Sequence, residues 1–333
     1  MKQVGTYFKE NVKFVTMIKI IENQSEIAAG TRGSSLGIGA MKVVSQTAQD
    51  GFFGQFENIE VPTENRLLDF PTEYNFAKRI DGLVNVYDNT CKIVSNVLES
   101  NNFPLVLSGD HACAGGTIAG IKKAYPNKRV GVVWIDAHAD IHTPYTTPSG
   151  NLHGMPLATA LNEDNLDSQI NELDSETFSL WEKLKNTGDI APKINVEDIV
   201  YISVRDTEKP EDDYLAKHSI KNYSVEEIRE KSKESVAIEI KERLSDCDII
   251  YISFDVDSMD CILVSKGTGT PVEDGLSAEE ANYFMTDFSN WDKVKCIEFV
   301  EINPCLDDKI NKMAETAYDI LKDVTDVLVK RVN

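Results

Sequence analysis

Trp134 to Leu157 reads W-I-D-A-H-A-D-I-H-T-P-Y-T-T-P-S-G-N-L-H-G-M-P-L, and its first half carries the densest chemistry in the chain. The apolar run Val130–Ile135 is long enough for one buried strand. Polar residues then take over: Asp136, His138, Asp140 and His142 alternate with Ala137, Ala139 and Ile141. In extended chain, alternate residues share a side. Three or four metal-competent groups therefore leave one strand end together. Burial of apolar surface gives no reason for two Asp and a His there, whereas a cation does.

Two other apolar runs end the same way. His111 follows 104–107, and Asp255 and Asp257 follow 249–254. The candidate ligands are thus His111, Asp136, His138, Asp140, Asp255 and Asp257. Oxygen-rich sites with some imidazole suit Mn²⁺, and Mg²⁺, Fe²⁺, Co²⁺ or Zn²⁺ are also admissible. Six ligands are too many for one tetrahedral zinc. They fit two ions sharing bridging carboxylates, and the four Asp would offset the ionic charge. Two ions about 3.5–4 Å apart can hold a shared water and lower its pKa from about 16 toward about 7. The resulting hydroxide would attack an electrophilic carbon, and a nearby His would protonate the leaving amine.

Such groups need a scaffold that gathers strand ends. Strands are expected at 15–21, 104–107, Val130–Ile135, 199–204, 220–223, 249–254 and Val294–Val300. Helices are expected at 36–48, 74–99, 114–125, 153–162, 224–244 with Ser224 as N-cap, from about 277, and at 309–329. Residues 163–196 read as an acidic surface insertion. The alternation implies a three-layer α/β/α fold with one mostly parallel sheet. Ligands in such sheets bind beyond the carboxyl ends of the strands. His111, Asp136 to Asp140, Arg205-Asp206, Asp255 to Asp257 and Glu301 all fall there. Residues 1–16 read as an N-terminal arm and 17–333 as a single catalytic domain. The glycines of 30–37 look like a phosphate cradle, but the Lys-Ser/Thr pair of a P-loop is missing, so a tight turn near the sheet edge is expected.

Composition narrows the partners. Against 34 Lys and Arg stand 55 Asp and Glu, a net charge of −21. Nucleic acid and anionic membranes would be repelled, and a small cationic substrate attracted; the simpler reading of the charge is solubility. The six cysteines are scattered with no C-x-x-C pair, which argues against a zinc knuckle and a secreted disulfide framework. No run is long enough to span a bilayer, and the N-terminus lacks the apolar core of a signal peptide. The expectation is a cytoplasmic enzyme.

The segments S-G-D-H, I-D-A-H-A-D, S-G-N-L-H-G, S-F-D-V-D-S-M-D and V-E-I-N-P resemble those of the ureohydrolase family, arginases most closely, from about residue 30 to 321. That resemblance implies an arginase-like fold, two Mn²⁺ and hydrolysis of a guanidinium to urea and an amine. It also implies a homo-oligomer, trimer or hexamer. It places His111, Asp136, Asp140 and Asp255 on one ion, and Asp136, His138, Asp255 and Asp257 on the other. Asp140 would also orient the bridging hydroxide. His153 would be the proton shuttle and Glu301 the partner of the substrate guanidinium, with Thr270 beside it. Ser149 and Asn151 match the loop that contacts the α-carboxylate of arginine. The implied reaction is L-arginine to L-ornithine and urea. The alternatives are another ureohydrolase (an agmatinase, guanidino-acid hydrolase or formimidoylglutamase) or a non-catalytic protein of the same fold. Two positions depart from the arginase pattern. His142 stands where Asn is usual, and R-D-V-D-P-G-E becomes R-D-T-E-K-P-E, with Glu208 and Glu211 at the acidic positions of the α-amino site. His142 as a further metal ligand, a structural His218, and a Cys113 packed beneath the site complete the expectations.

Overall fold

The computed structural model describes residues 18–332, so the expected arm lies outside the described residues. In chain order the elements are β1 (Ile18–Asn23), α1 (Gly37–Ala48), β2 (Glu57–Glu60), α2 (Ile80–Glu99), β3 (Phe103–Ser108), α3 (Cys113–Ala124), β4 (Val130–Ile135), α4 (Pro156–Leu161) and α5 (Ser175–Lys185). Then come β5 (Ile199–Ile202), α6 (Lys209–His218), β6 (Lys221–Tyr223), α7 (Val225–Lys231), α8 (Lys233–Arg243), β7 (Ile249–Asp255), α9 (Ala278–Ser289), β8 (Val294–Val300) and α10 (Lys312–Val332). The strands form one sheet in the order β2-β1-β3-β8-β7-β4-β5-β6. Every strand pairing is parallel.

Strand side chains alternate between two apolar layers, as the pleat requires. Leu105, Leu107, Val133, Ile135, Ile250, Ile252 and Phe254 pack into one cluster with residues of α8, α9 and α10. Val106, Val132, Trp134, Ile249 and Tyr251 pack into the other, with residues of α2 and α3. This is the expected three-layer α/β/α fold. Because both faces of β3, β4 and β7 are covered, those strands read as continuous apolar runs.

Local differences from the sequence reading have identifiable causes. Helix α2 starts at Ile80 rather than near 74, because the preceding segment docks on another loop: Lys78 N donates to Gly150 O at 2.8 Å. The helix expected over 224–244 is two helices, broken at Ser232, whose φ of 80° ends α7 while its side chain caps α8. Ser224 is the N-cap, accepting from Glu227 N. The supposed surface insertion contains α5, which buries Trp181 and Leu184 completely. Asp174 caps α5 by accepting from Glu176 N and Thr177 N, a signal that D-S-E-T offered and acidity masked. Strand β2, a polar edge strand, and helix α6, which starts on a Glu208/Glu211 capping box, were also missed. The glycine loop is a turn whose backbone is already anchored. Glu26 Oε2 accepts from Gly33 N at 2.7 Å and Ser35 N at 3.0 Å, so an internal carboxylate fills the place of a phosphate. Among the described residues no helix is long and apolar enough to cross a membrane, and all six cysteines are unpaired.

One buried charge lies away from the strand ends. Lys193 is 2% exposed, and its ammonium donates to Lys185 O at 2.6 Å. Burial pulls its pKa down from 10.5 to about 8. Between those values the unfolded chain holds the extra proton, so stability rises with pH; below about 8 the full cost of the buried charge is present. Lys193→Met removes a cost of about 3 kcal/mol and a hydrogen bond worth about 1 kcal/mol. Urea unfolding should show this variant more stable than the parent at pH 7. The gain should vanish or reverse near pH 10.5; a pH-independent difference would refute the assignment.

Candidate metal centre and substrate cavity

Strands β3, β8, β7 and β4 are neighbours, so the groups at their carboxyl ends meet although the chain separates them widely. Register sets the heights. Ile135 pairs with Phe254, which brings Asp136 level with Asp255, and Asp255 itself pairs with Val300, just before Glu301. Consecutive strands β3 and β4 are parted by β8 and β7, and the cleft opens between their diverging loops.

His111 Nδ1 lies 3.0 Å from Asp136 Oδ2, 2.9 Å from Asp140 Oδ2 and 3.1 Å from Asp255 Oδ2. None of these contacts has hydrogen-bond alignment, so the buried nitrogen lacks a partner of its own. Its other nitrogen, Nε2, is 2.7 Å from Ser253 Oγ, and the ring stacks on Trp134 at 4.1 Å. With Nε2 donating to Ser253, the Nδ1 lone pair faces three carboxylate oxygens. That arrangement is repulsive unless a cation stands among them. The second group is His138, whose Nδ1 is 3.4 Å from Asp136 Oδ1 and 3.1 Å from Asp257 Oδ2. His111, Asp136 and Asp255 form one set of converging donor atoms; Asp136, His138 and Asp257 form another that shares Asp136. The residues therefore fit two metal ions. All six sequence candidates are brought together.

Without a metal ion, the carboxylates favour a proton on each ring instead. Burial acts to lower the pKa of His111 and of His138, but the surrounding aspartates outweigh it and hold both rings well above the usual range. Burial, reinforced by Asp257 and Asp136, drives Asp255 well above the usual carboxylate range. The backbone is also held in an unusual state here. Asp140 has φ 49° and Glu301 φ 66°, left-handed values that cost roughly 1–2 kcal/mol each for residues with a side chain.

Around the cluster lies a cavity of about 290 Å³ lined by His111, His138, Asp140, His142, Ser149, Asn151, His153, Asp206, Glu208, Glu211, Asp255, Asp257 and Thr270, among others. His153 Nδ1 is 3.3 Å from Glu301 Oε1, which also accepts from His111 N at 3.0 Å. Burial lowers the His153 pKa, but Glu301 more than offsets it and raises it overall. Glu301 is 1% exposed and does not line the cavity directly. A Cβ at Gly269 would stand 3.5 Å from its Oε2, so that oxygen lies close against the Gly269 backbone. Thr270 donates to Asp257 Oδ2 at 2.9 Å. At the rim, the two departures from the arginase pattern meet: His142 Nε2 is 2.7 Å from Glu208 Oε2 and 3.5 Å from Glu211 Oε2. His142 Nδ1 rests on Thr146 Oγ1 at 3.0 Å. Burial pushes Glu211 up to about 7. His142 therefore belongs to the rim and not to the two converging ligand sets, though with Glu208 and Glu211 it forms a third cluster of metal-competent atoms. His218 packs against Tyr214 with its ring tilted by 38°, and Cys113 is fully buried beside Asp110, as expected.

The sequence reading gave no role to several positioning residues, although it placed Arg205 and Asp206 at a strand end. Trp134 Nε1 donates to Asp136 Oδ2 at 2.8 Å. Asp110 accepts from Ala28 N at 2.9 Å, and Ala28 O accepts from His153 N at 3.3 Å, so Asp110 supports the shuttle candidate. Arg205 donates to the carbonyls of Ser203, Asp257, Ser258, Val272 and Glu273, stitching together the loops that carry Asp257 and Thr270. Asp206 Oδ2 lies 3.6 Å from His138 Nε2. The D beside H in S-G-D-H, and a lone Ser253 in an apolar strand, were the available signals.

Comparison with known proteins agrees with this geometry. The arginase family model matches residues 27–325. The arginase of Bacillus subtilis (strain 168) is 32% identical over 309 residues, covering 92% of this chain and 96% of its own. The structure of Bacillus caldovelox arginase superposes with a TM-score of 0.78 at 30% identity, over 93% of this chain and 98% of that one. Entamoeba histolytica arginase in complex with L-ornithine gives 0.76 at 27% identity, over 93% and 97%.

Chelator-treated protein should take up two equivalents of Mn²⁺ by elemental analysis. At about a hundredfold excess over Kd each ion adds about 2.7 kcal/mol, several degrees in Tm. Uptake should release protons, seen by calorimetry in buffers of different ionisation enthalpy, because ligand imidazoles must be neutral. Asp136→Ala should abolish binding of both ions, whereas His138→Ala should spare one; loss of a single ion on removing Asp136 would break the shared-ligand assignment.

Proposed function

This chain belongs to the arginase family and is a ureohydrolase acting on guanidino groups; from that premise we propose that it hydrolyses L-arginine to L-ornithine and urea with two Mn²⁺. The observation that carries the proposal is one cavity with two different ends. A converging set of imidazoles and carboxylates lies at its base, and Ser149, Asn151, Glu208 and Glu211 stand in its wall. A zwitterionic amino-acid end needs donors for its carboxylate and acidic groups for its ammonium; Ser149 and Asn151 can supply the first, Glu208 and Glu211 the second.

When bound, the two ions would supply Lewis acidity and an acidified water to attack the guanidinium carbon. Asp140 would hold that water by a hydrogen bond. Glu301 offers the carboxylate for the planar guanidinium, with Oε2 beside Gly269. The C–N bond to the amine then breaks, and the amine needs a proton. His153 carries Nδ1 on Glu301, which leaves Nε2 to deliver it. The acidic lining favours a cationic substrate over an anionic one. The six unpaired cysteines support a reducing compartment, the cytoplasm. Homo-oligomeric assembly, as a trimer or hexamer, belongs to the same proposal on the family resemblance. A second reading is favoured by the His142–Glu208 pair, which occupies the α-amino end and suits a guanidino compound other than arginine.

Mn²⁺-loaded protein offered arginine, agmatine, guanidinobutyrate and formiminoglutamate should release urea from arginine with the highest kcat/KM. Faster turnover of another compound overturns the substrate assignment. His153→Ala should lose about 10²–10⁴ in kcat with Mn²⁺ stoichiometry unchanged; undiminished turnover removes the shuttle role. His142→Asn and Glu208→Asp should each raise KM for arginine, and the double variant should be closer to the parent than the two changes sum to. The coupling expected of a direct pair is about 1–3 kcal/mol. Strict additivity would mean that the pair does not act together.

A further inference from the structure

The cavity wall is acidic, yet the proposed substrate carries a carboxylate. The structure holds a cation where that problem arises. Lys78 belongs to the segment that sequence periodicity assigns to helix and that instead lies across the 147–151 loop. Gly150 makes this possible: its φ is 75°, and a Cβ there would fall 2.0 Å from Asn75 O. Lys78 N donates to Gly150 O at 2.8 Å, and Lys78 Nζ reaches Asn151 Oδ1 at 3.2 Å. No carboxylate among the described residues pairs with this ammonium.

We propose that Lys78 is a specificity-setting positioning residue: it orients the Asn151 amide so that its NH2 faces the cavity and selects ligands with a carboxylate remote from the reacting guanidinium. The reasoning is one of donors and acceptors. An ammonium can only donate, so it draws the amide oxygen and turns the amide nitrogen away. Asn151 Nδ2 lies over Gly30, 2.8 Å from where a Cβ would stand, and bonds no acceptor among the described residues. Its two protons are therefore uncommitted, and Asn151 is one of the residues that line the cavity. Without Lys78 the amide is free to flip and present its oxygen, which a carboxylate would repel. Lys78 does not itself line the cavity, so it acts through Asn151 while adding positive field behind it. This inference rests on the proposed guanidino-acid reading and names the group that enforces it.

The test compares ligands that differ in the carboxylate. L-Ornithine and putrescine are titrated calorimetrically into Mn²⁺-loaded parent, Lys78→Met and Lys78→Arg proteins, after Tm and metal content show each variant folded. Lys78→Met should weaken L-ornithine by about tenfold, the loss of roughly one charge-assisted contact, leave putrescine within twofold, and Lys78→Arg should recover most of the loss. In turnover, KM for arginine should rise with kcat nearly unchanged. Equal weakening of both ligands, or none of L-ornithine, overturns the role of Lys78. Absence of urea from every guanidino compound would instead sink the hydrolase reading, and the binding comparison would still decide Lys78.

Discussion

His111 Nδ1, set among three carboxylate oxygens at 2.9–3.1 Å where a proton or a metal ion must stand, is the constraint on which the centre depends. Like charges and lone pairs at that spacing, removed from water, are tolerated only around a cation. The protein nevertheless invests in holding them. Trp134 contributes its ring as a stacking surface for His111 and its N–H as a donor to Asp136. Ser253 settles the ring's other nitrogen. Asp140 and Glu301 accept left-handed backbone. Structure that is costly without a ligand is expected where function sets the geometry.

How the chain affords this is a matter of rigidity. Adjacent central strands, apolar on both faces, supply a platform whose ends cannot drift. Arg205 has its guanidinium on five carbonyls from separate segments, so it joins the loops after β5 and β7 without neutralising a ligand carboxylate. A carboxylate partner for Arg205 would have been a competing charge beside Asp257. Carbonyls bind the guanidinium and leave the negative charge of the centre for cations.

Legibility followed how local each signal was. The strands β3, β4, β7 and β8 were readable because burial on both faces leaves unbroken apolar runs, and the six ligand candidates because Asp and His at strand ends have no packing reason to be there. Segment 74–79 was misread because its helical periodicity is overridden by a docking that only Gly150, far along the chain, permits. Helix α5 was hidden by acidity although Trp181 is its buried anchor. The pairing of His142 with Glu208 could not be read at all: two separate departures from a pattern become one interaction only when the loop after β4 meets the start of α6.

That meeting point joins stability to selectivity. Glu208 and Glu211 form the capping box of α6, each accepting from the other's end of the first turn, and both face the cavity. The helix N-terminus favours negative charge there, while burial beside Asp140 pushes Glu211 toward protonation near neutral pH. An arriving ammonium would resolve that conflict by pairing the charge that the helix end already prefers. The wall proposed to receive the substrate is thus also the start of a helix. A longer carboxylate at 208 is tolerated because His142, larger than an asparagine, stands within 2.7 Å to receive it. Changing Glu208 alters the cap and the cavity charge together, and the contact at 2.7 Å couples that change to His142.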